Sequence, residues 1–221
     1  MNNIIDIKNV SKTINNIKIL NNITVSFKSG HIYGLIGRNG SGKTMLFKSI
    51  CGLINITSGE IRVFNKLIAN GNFPDDTGII IENPGFLPQY SGYKNLEILA
   101  SIRNKINSSD IKNIIKIVGL NPDDKLPVKK YSLGMKQRLG IAQALMESPK
   151  LLILDEPMNA LDEDGVNDIR KILLNLKKQG VTILIASHNK EDIETLCDSI
   201  YTIDNGILHI KKVSVKNLIS S

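Results

Sequence analysis

Cysteine, aromatic residues and long apolar runs are all scarce in this chain of 221 residues, and each shortage closes off a class of function. Only two cysteines occur, Cys51 and Cys197, and no cysteine or histidine cluster has zinc-ligand spacing. Both thiols fall in apolar stretches with helical spacing, so they read as reduced core residues of a cytosolic protein and not as a disulfide framework. The longest apolar runs, such as "VTILIA" and "LLIL", are far too short to cross a bilayer. The opening "MNNIIDIKNV" has no basic segment leading into a long apolar one, so no secretion signal is expected. Aromatics make up 5% of the residues, and the lysines are scattered in short pairs such as Lys129-Lys130 and Lys177-Lys178. The net charge of +7 therefore reads as a solvated basic surface, with no nucleic-acid partner expected. Internal repeats, low-complexity segments and long linkers are missing too.

What is present fits a globular chain: 42% hydrophobic and 22% charged residues, enough length for one large domain. "IIDIKNVSKTINNIKILNNITVSF" alternates apolar positions, with turns expected at Asn15-Asn16 and Asn21-Asn22, and predicts an antiparallel start. "HIYGLIG" is an apolar strand running into a glycine-rich turn. "SGKTMLFKSICGL" then has helical spacing closed by Gly52. "GEIRVFNK" reads as a strand after a turn at Ser58-Gly59, and "TGIIIENPGF" as a buried strand stopping at Glu82. From Tyr93 to about Ser148 the pattern is helical, including a Ser/Asp start to "SSDIKNIIKIVGL". "LLILDEP" and "VTILIASH" have the fully apolar character of central parallel strands, and "DSIYTIDNGILHI" is a hairpin. The order predicts an α/β core with an antiparallel β start and an inserted helical block. In numbers, about 1–85 and 149–221 form the core and about 86–148 the helical part of a single domain.

The phosphate-binding signal is "GRNGSGKT", Gly37 to Thr44, which fits G-x-x-x-x-G-K-[ST] between a strand and a helix. Backbone N–H groups around Gly37, Asn39, Gly40, Ser41 and Gly42 can turn inward onto phosphate oxygens, and the helix N-terminus adds its positive end. Lys43 should reach the β- and γ-phosphates of a nucleotide, and the Thr44 hydroxyl should meet Mg²⁺. "LLILDEP" ends its strand in two acids. Asp155 suits a magnesium ligand, and Glu156, next along at a strand's carboxyl end, suits a general base for water.

These residues together resemble the ATP-binding cassette (ABC) ATPases, a P-loop NTPase fold, over roughly residues 4–210. "YSLGMKQR" resembles the family signature, with Ser132 and Gly134 in its diagnostic positions. The resemblance implies that this stretch closes over ATP held by the phosphate loop of a second subunit. A serine able to cap a helix N-terminus, with its hydroxyl and free N–H groups, is a suitable anion clamp. The resemblance further implies that "NALD", Asn159 to Asp162, runs along the dimer interface near nucleotide, and that His188 in "IASHNKEDI" is the switch histidine at the γ-phosphate. Lys43, Glu156 and His188 are thus the expected catalytic residues, whereas His31 and His209 read as surface residues.

Two positions depart from the usual family pattern. Ile14 falls where an aromatic residue usually stacks on adenine, leaving apolar packing. Glu82 falls where a glutamine usually stands, which adds a third expected metal ligand beside Thr44 and Asp155. Glutamate there, followed by "NPGFLPQYSGYKNLEIL", resembles the branch of bacterial exporters for lantibiotic and bacitracin self-protection. The expected partners are a second nucleotide-binding subunit, identical or similar, and separate membrane permease subunits. The expected place is the cytoplasmic face of the membrane, with ATP and Mg²⁺ as cofactors. ATPases of drug or lipid efflux remain an alternative. Soluble ABC ATPases of repair and translation fit less well, because neither a long coiled-coil insertion nor a second cassette is seen. A P-loop GTPase or small-molecule kinase would not explain the signature, the Asp-Glu pair and the histidine together.

Overall fold

Asn15 and Asn16 both take left-handed backbone, with φ 48° and 63°. This two-residue turn folds β1 (Asn3–Ile14) antiparallel onto β2 (Ile17–Lys28). The computed structural model describes residues 2–69, 71–82 and 84–211. Asn21-Asn22 is not a second turn: Asn22 has φ 50° inside β2, and the strand continues through it. Asparagine tolerates the left-handed region in turns and in irregular strands alike, so the residue type alone does not separate the two. Asn21 N–H instead donates to the Gly206 carbonyl at 2.9 Å, joining β2 to the far hairpin.

β4 (Ser58–Val63) pairs with β1 and β5 (Lys66–Leu67), giving a four-stranded sheet in the order β2-β1-β4-β5. Ser58 and Gly59 belong to β4 itself, beside a register shift opposite Lys8–Ser11. The real turn is Phe64-Asn65, both left-handed. The larger sheet has six strands: β3 (Ile32–Ile36), β6 (Thr77–Ile80), β7 (Leu151–Asp155), β8 (Thr182–Ala186), β9 (Ser199–Asp204) and β10 (Ile207–Lys211). Their order is β10-β9-β3-β8-β7-β6, parallel except for the β9-β10 hairpin. β6 stops at Ile80, two residues before Glu82, whose backbone is left-handed at φ 63° and cannot extend a ladder.

The helices are α1 (Lys43–Ile50), α2 (Gly92–Arg103), α3 (Ser108–Ile117), α4 (Leu133–Leu145), α5 (Glu163–Lys178) and α6 (Lys190–Leu196). α2, α3 and α4 fill the chain between β6 and β7. The cap of α3 is Asn107, in a capping box with Asp110, so the helix signal begins one residue before the expected Ser/Asp start. Cores lie on both faces of the parallel sheet. Leu152 and Leu154 of β7 and Ile183 and Ile185 of β8 pack with the helices. Leu151, Ile153, Leu184 and Ala186 face the antiparallel sheet and α1. That double burial explains why both strands read as unbroken apolar runs. Burial pushes the Cys51 and Cys197 thiols up to about 12, which keeps both protonated and inert. Among the described residues, no helix is long and apolar enough to cross a membrane.

Candidate functional site

The loop between β3 and α1 needs glycine at Gly37, where an added Cβ would stand 2.4 Å from the Ile203 carbonyl oxygen. Close packing on β9 therefore shapes the loop's first turn. Lys43 is buried, and its ammonium donates to the Gly37 and Arg38 carbonyls at 2.6 and 3.1 Å. Ser41 Oγ is also buried, without a hydrogen-bond partner among the described residues. A buried cation and an orphaned hydroxyl beside the N-terminus of α1 suit a polyphosphate.

A cleft of about 580 Å³ opens over this loop. Asn39, Gly40, Ser41, Gly42, Lys43 and Thr44 form its floor, and Glu82, Asp155 and Glu156 stand on its walls. Thr44 Oγ1 donates to Asp155 Oδ2 at 2.5 Å. A hydroxyl against a carboxylate is a hard-oxygen pair of the kind that binds Mg²⁺, so the donor set fits that ion. Among the described residues, no cluster of three or more His, Cys, Asp or Glu side chains could hold a metal by itself.

Glu156 follows β7 with a left-handed backbone, φ 52°, and its N–H donates to the Ala186 carbonyl at 2.9 Å. Its carboxylate is met from the turn after β8, where His188 Nδ1 donates to Oε2 at 2.8 Å and the His188 backbone N–H donates at 3.3 Å. The structure therefore joins Asp155, Glu156 and His188 at the ends of neighbouring strands. The turn carrying His188 is anchored from below. Asp192, buried on α6, accepts from Ser187 Oγ at 3.4 Å and from Arg170 Nη2 at 2.6 Å. Replacing Arg170 with leucine would strand a buried carboxylate and is expected to cost about 3–5 kcal/mol of stability. Chemical denaturation followed by circular dichroism checks this, and an unchanged midpoint would remove the anchor.

Ser132 and Gly134 do not line this cleft. Ser132 is exposed and caps α4, its Oγ accepting from the Met135 N–H at 3.1 Å. An added Cβ at Gly134 would come within 2.9 Å of the Ala160 carbonyl oxygen, so α4 starts hard against the Asn159–Asp162 loop. Asp162 spends one carboxylate oxygen capping α5, through Gly165 N–H at 3.0 Å. Glu82 reaches the cleft wall, but its carboxylate accepts from Lys48 at 2.6 Å. Ile14 is exposed at the end of the first hairpin and does not line the cleft, whereas Ile19 of β2 does. His31 is half-buried and contacts the Ser29 carbonyl, and His209 is exposed.

Sequence reasoning missed three lining side chains, Ile19, Met45 and Gln137. Ile19 passes for an ordinary strand position. Gln137 lies inside "YSLGMKQR" and donates to the Pro157 carbonyl at 2.8 Å, tying α4 to the loop after Glu156. The signal for Gln137 was the one amide side chain in that run. Beyond Glu82, Asn83 lies outside the described residues. The loop that follows is shaped by buried Asn95, which accepts from Leu87 N–H at 2.7 Å and donates to the Leu87 and Ser91 carbonyls.

A family model described as ABC transporter matches residues 20–159. The chain is 47% identical over 205 residues to an uncharacterized ABC transporter ATP-binding protein of Bacillus subtilis, covering 92% of this chain and 94% of that one. It is 39% identical to a bacitracin transport ATP-binding protein of Enterococcus faecalis, over 99% of this chain and 71% of that protein. It is 41% identical to a lantibiotic transport ATP-binding protein of Streptococcus pyogenes, over 93% and 89% of the two chains. An ATP-binding cassette solved as a post-hydrolysis dimer with ADP and phosphate superimposes with a TM-score of 0.85 at 22% identity, over 94% of this chain and 98% of that one. That likeness establishes the α/β fold with its antiparallel sheet and helices, and the sequence matches establish the lineage. The chain accordingly belongs to the ABC transporter family, as an ATP-binding subunit that hydrolyses ATP.

Proposed function

We propose that this subunit drives export of peptide antibiotics, of the bacitracin or lantibiotic kind, as one nucleotide-binding domain working at the cytoplasmic face of the membrane with separate permease subunits. The observation that carries this is its similarity, over nearly its whole length, to bacitracin and lantibiotic transport ATP-binding proteins. Glu82 in place of the usual glutamine supports the same branch. Deleting the gene is expected to lower tolerance of bacitracin or a lantibiotic several-fold, with restoration by the intact gene. Unchanged tolerance of both peptides, with a loss against lipophilic drugs, would move the subunit to general drug efflux.

In this reading the N–H groups from Gly37 to Gly42 hold the phosphates, with the Ser41 hydroxyl finding its partner there. Lys43 exchanges its two carbonyl contacts for β- and γ-phosphate oxygens. Thr44 and Asp155 hold Mg²⁺, with Glu82 in reach of the same region. When bound, that cation draws charge off the phosphate oxygens. Glu156 accepts a proton from the attacking water, and His188 aims its carboxylate through two N–H contacts. Ile19 gives adenine an apolar surface without a stacking ring, in the part expected of Ile14. Ser132, Gly134 and Asp162 stand on the face that meets a second nucleotide-binding subunit, and there serve its ATP. The loop past Glu82, fixed by Asn95, faces the permease.

A further inference from the structure

Thr44 and Lys48 lie one turn apart on α1 and share a face of the helix. Thr44 reaches Asp155, and Lys48 Nζ donates to Glu82 Oε1 at 2.6 Å. Asp155 ends β7 and Glu82 follows its parallel neighbour β6, with Ile80 in register with Leu154. One helix face therefore touches two adjacent strand ends in succession. Glu82 is the awkward member of the set. Its left-handed backbone, φ 63°, is a conformation that glutamate holds only when its surroundings enforce it. It also adds a third carboxylate to a cleft where Lys43 is the only basic side chain among the described lining residues. Lys48 is not part of that lining. It approaches from behind the wall, its side chain 23% exposed against 64% for Glu82.

We infer that Lys48 is a positioning residue that neutralises and aims Glu82, so that a carboxylate can stand at the cleft wall without repelling a nucleotide that arrives ahead of its cation. The inference rests on the reading of the cleft as a Mg-ATP site. The Lys48–Glu82 pair carries no net charge, so the wall it forms presents no net negative charge to an incoming phosphate. An ordinary exposed ion pair would contribute little, and its loss would not depend on whether a nucleotide carries Mg²⁺.

The experiment is a titration of the whole protein with a fluorescent ATP analogue, once in EDTA and once in Mg²⁺. Lys48→Met keeps most of the aliphatic stem and removes the charge. It is expected to weaken binding in EDTA about tenfold, the scale of one unpaired carboxylate facing an anion across a partly solvated gap. With Mg²⁺ present the loss should shrink to near nothing. In a Glu82→Gln background, adding Lys48→Met should cost no further affinity in EDTA, because the charge it balanced is gone. Lys48→Arg should recover wild-type behaviour, and Lys48→Gln carries the same expectation as methionine if the methionine form folds poorly. Equal losses with and without Glu82, or no loss in EDTA at all, would overturn the inference. Failure of the underlying reading shows itself separately, as wild-type protein whose nucleotide binding is absent or indifferent to Lys43→Ala.

Discussion

Glu156→Gln is expected to bind Mg-ATP and to lose hydrolysis by roughly 10²–10⁴-fold, the usual contribution of a positioned general base. The amide is nearly isosteric with the carboxylate, so the left-handed turn at residue 156 and the N–H contacts from His188 have no steric reason to change. What disappears is the ability to take a proton from water. The protein should then collect with ATP unspent, as a dimer closed around it. Phosphate release and gel filtration in ATP measure the two consequences independently. Turnover close to wild type in the purified variant would take the base role away from Glu156.

The second large effect concerns a residue that lies off its own cleft. Ser132→Arg places bulk and charge at the exposed start of α4, next to Leu133, whose side chain projects into solvent at 72% exposure. Nucleotide binding by the monomer should survive, since Ser132 does not line the cleft around Lys43. Dimerisation and hydrolysis should be abolished. Lys43→Ala is expected to produce the complementary defect, leaving Ser132 and Gly134 intact and weakening the phosphate loop. Mixing the two proteins should rebuild one sound composite site per heterodimer and restore part of the turnover. Mixtures that stay inactive in multiple turnover but hydrolyse once would mean that both sites must work together. Mixtures inactive even in a single turnover would end the idea of a shared site.

The parts of this site readable from the chain are those in which chemistry and position are local. Gly37 to Thr44 is one uninterrupted loop, and Asp155-Glu156 sits at the end of a single apolar strand, so spacing alone exposes them. Helices α2 to α4 and the central strands were legible for the same reason: their period is carried by consecutive residues. The side chains that aim the site were not legible, because their partners are distant in sequence. Arg170 meets Asp192, Lys48 meets Glu82, and Gln137 meets the loop after Glu156 only once the sheet has brought them together. Asparagine misled at Asn21-Asn22 because left-handed backbone serves an irregular strand as well as a hairpin. Ser58-Gly59 misled in the same way, its turn-like pair opening a strand, while Phe64-Asn65, a pair of less obvious type, makes the bend.

The two-sided burial of β7 and β8 also sets the order in which the walls of the cleft can yield. Amide hydrogens at the centre of a sheet packed on both faces escape to solvent only through opening of nearly the whole molecule, whereas edge strands open at far smaller free energy. Glu156 and His188 hang from β7 and β8, which are interior strands, while Glu82 follows β6, the outermost strand of the same sheet. The wall that carries Glu156 and His188 is therefore the stiff one. The wall that carries Glu82 is the one that opens at smaller free energy, as a strand edge, while Glu156 and His188 keep their places.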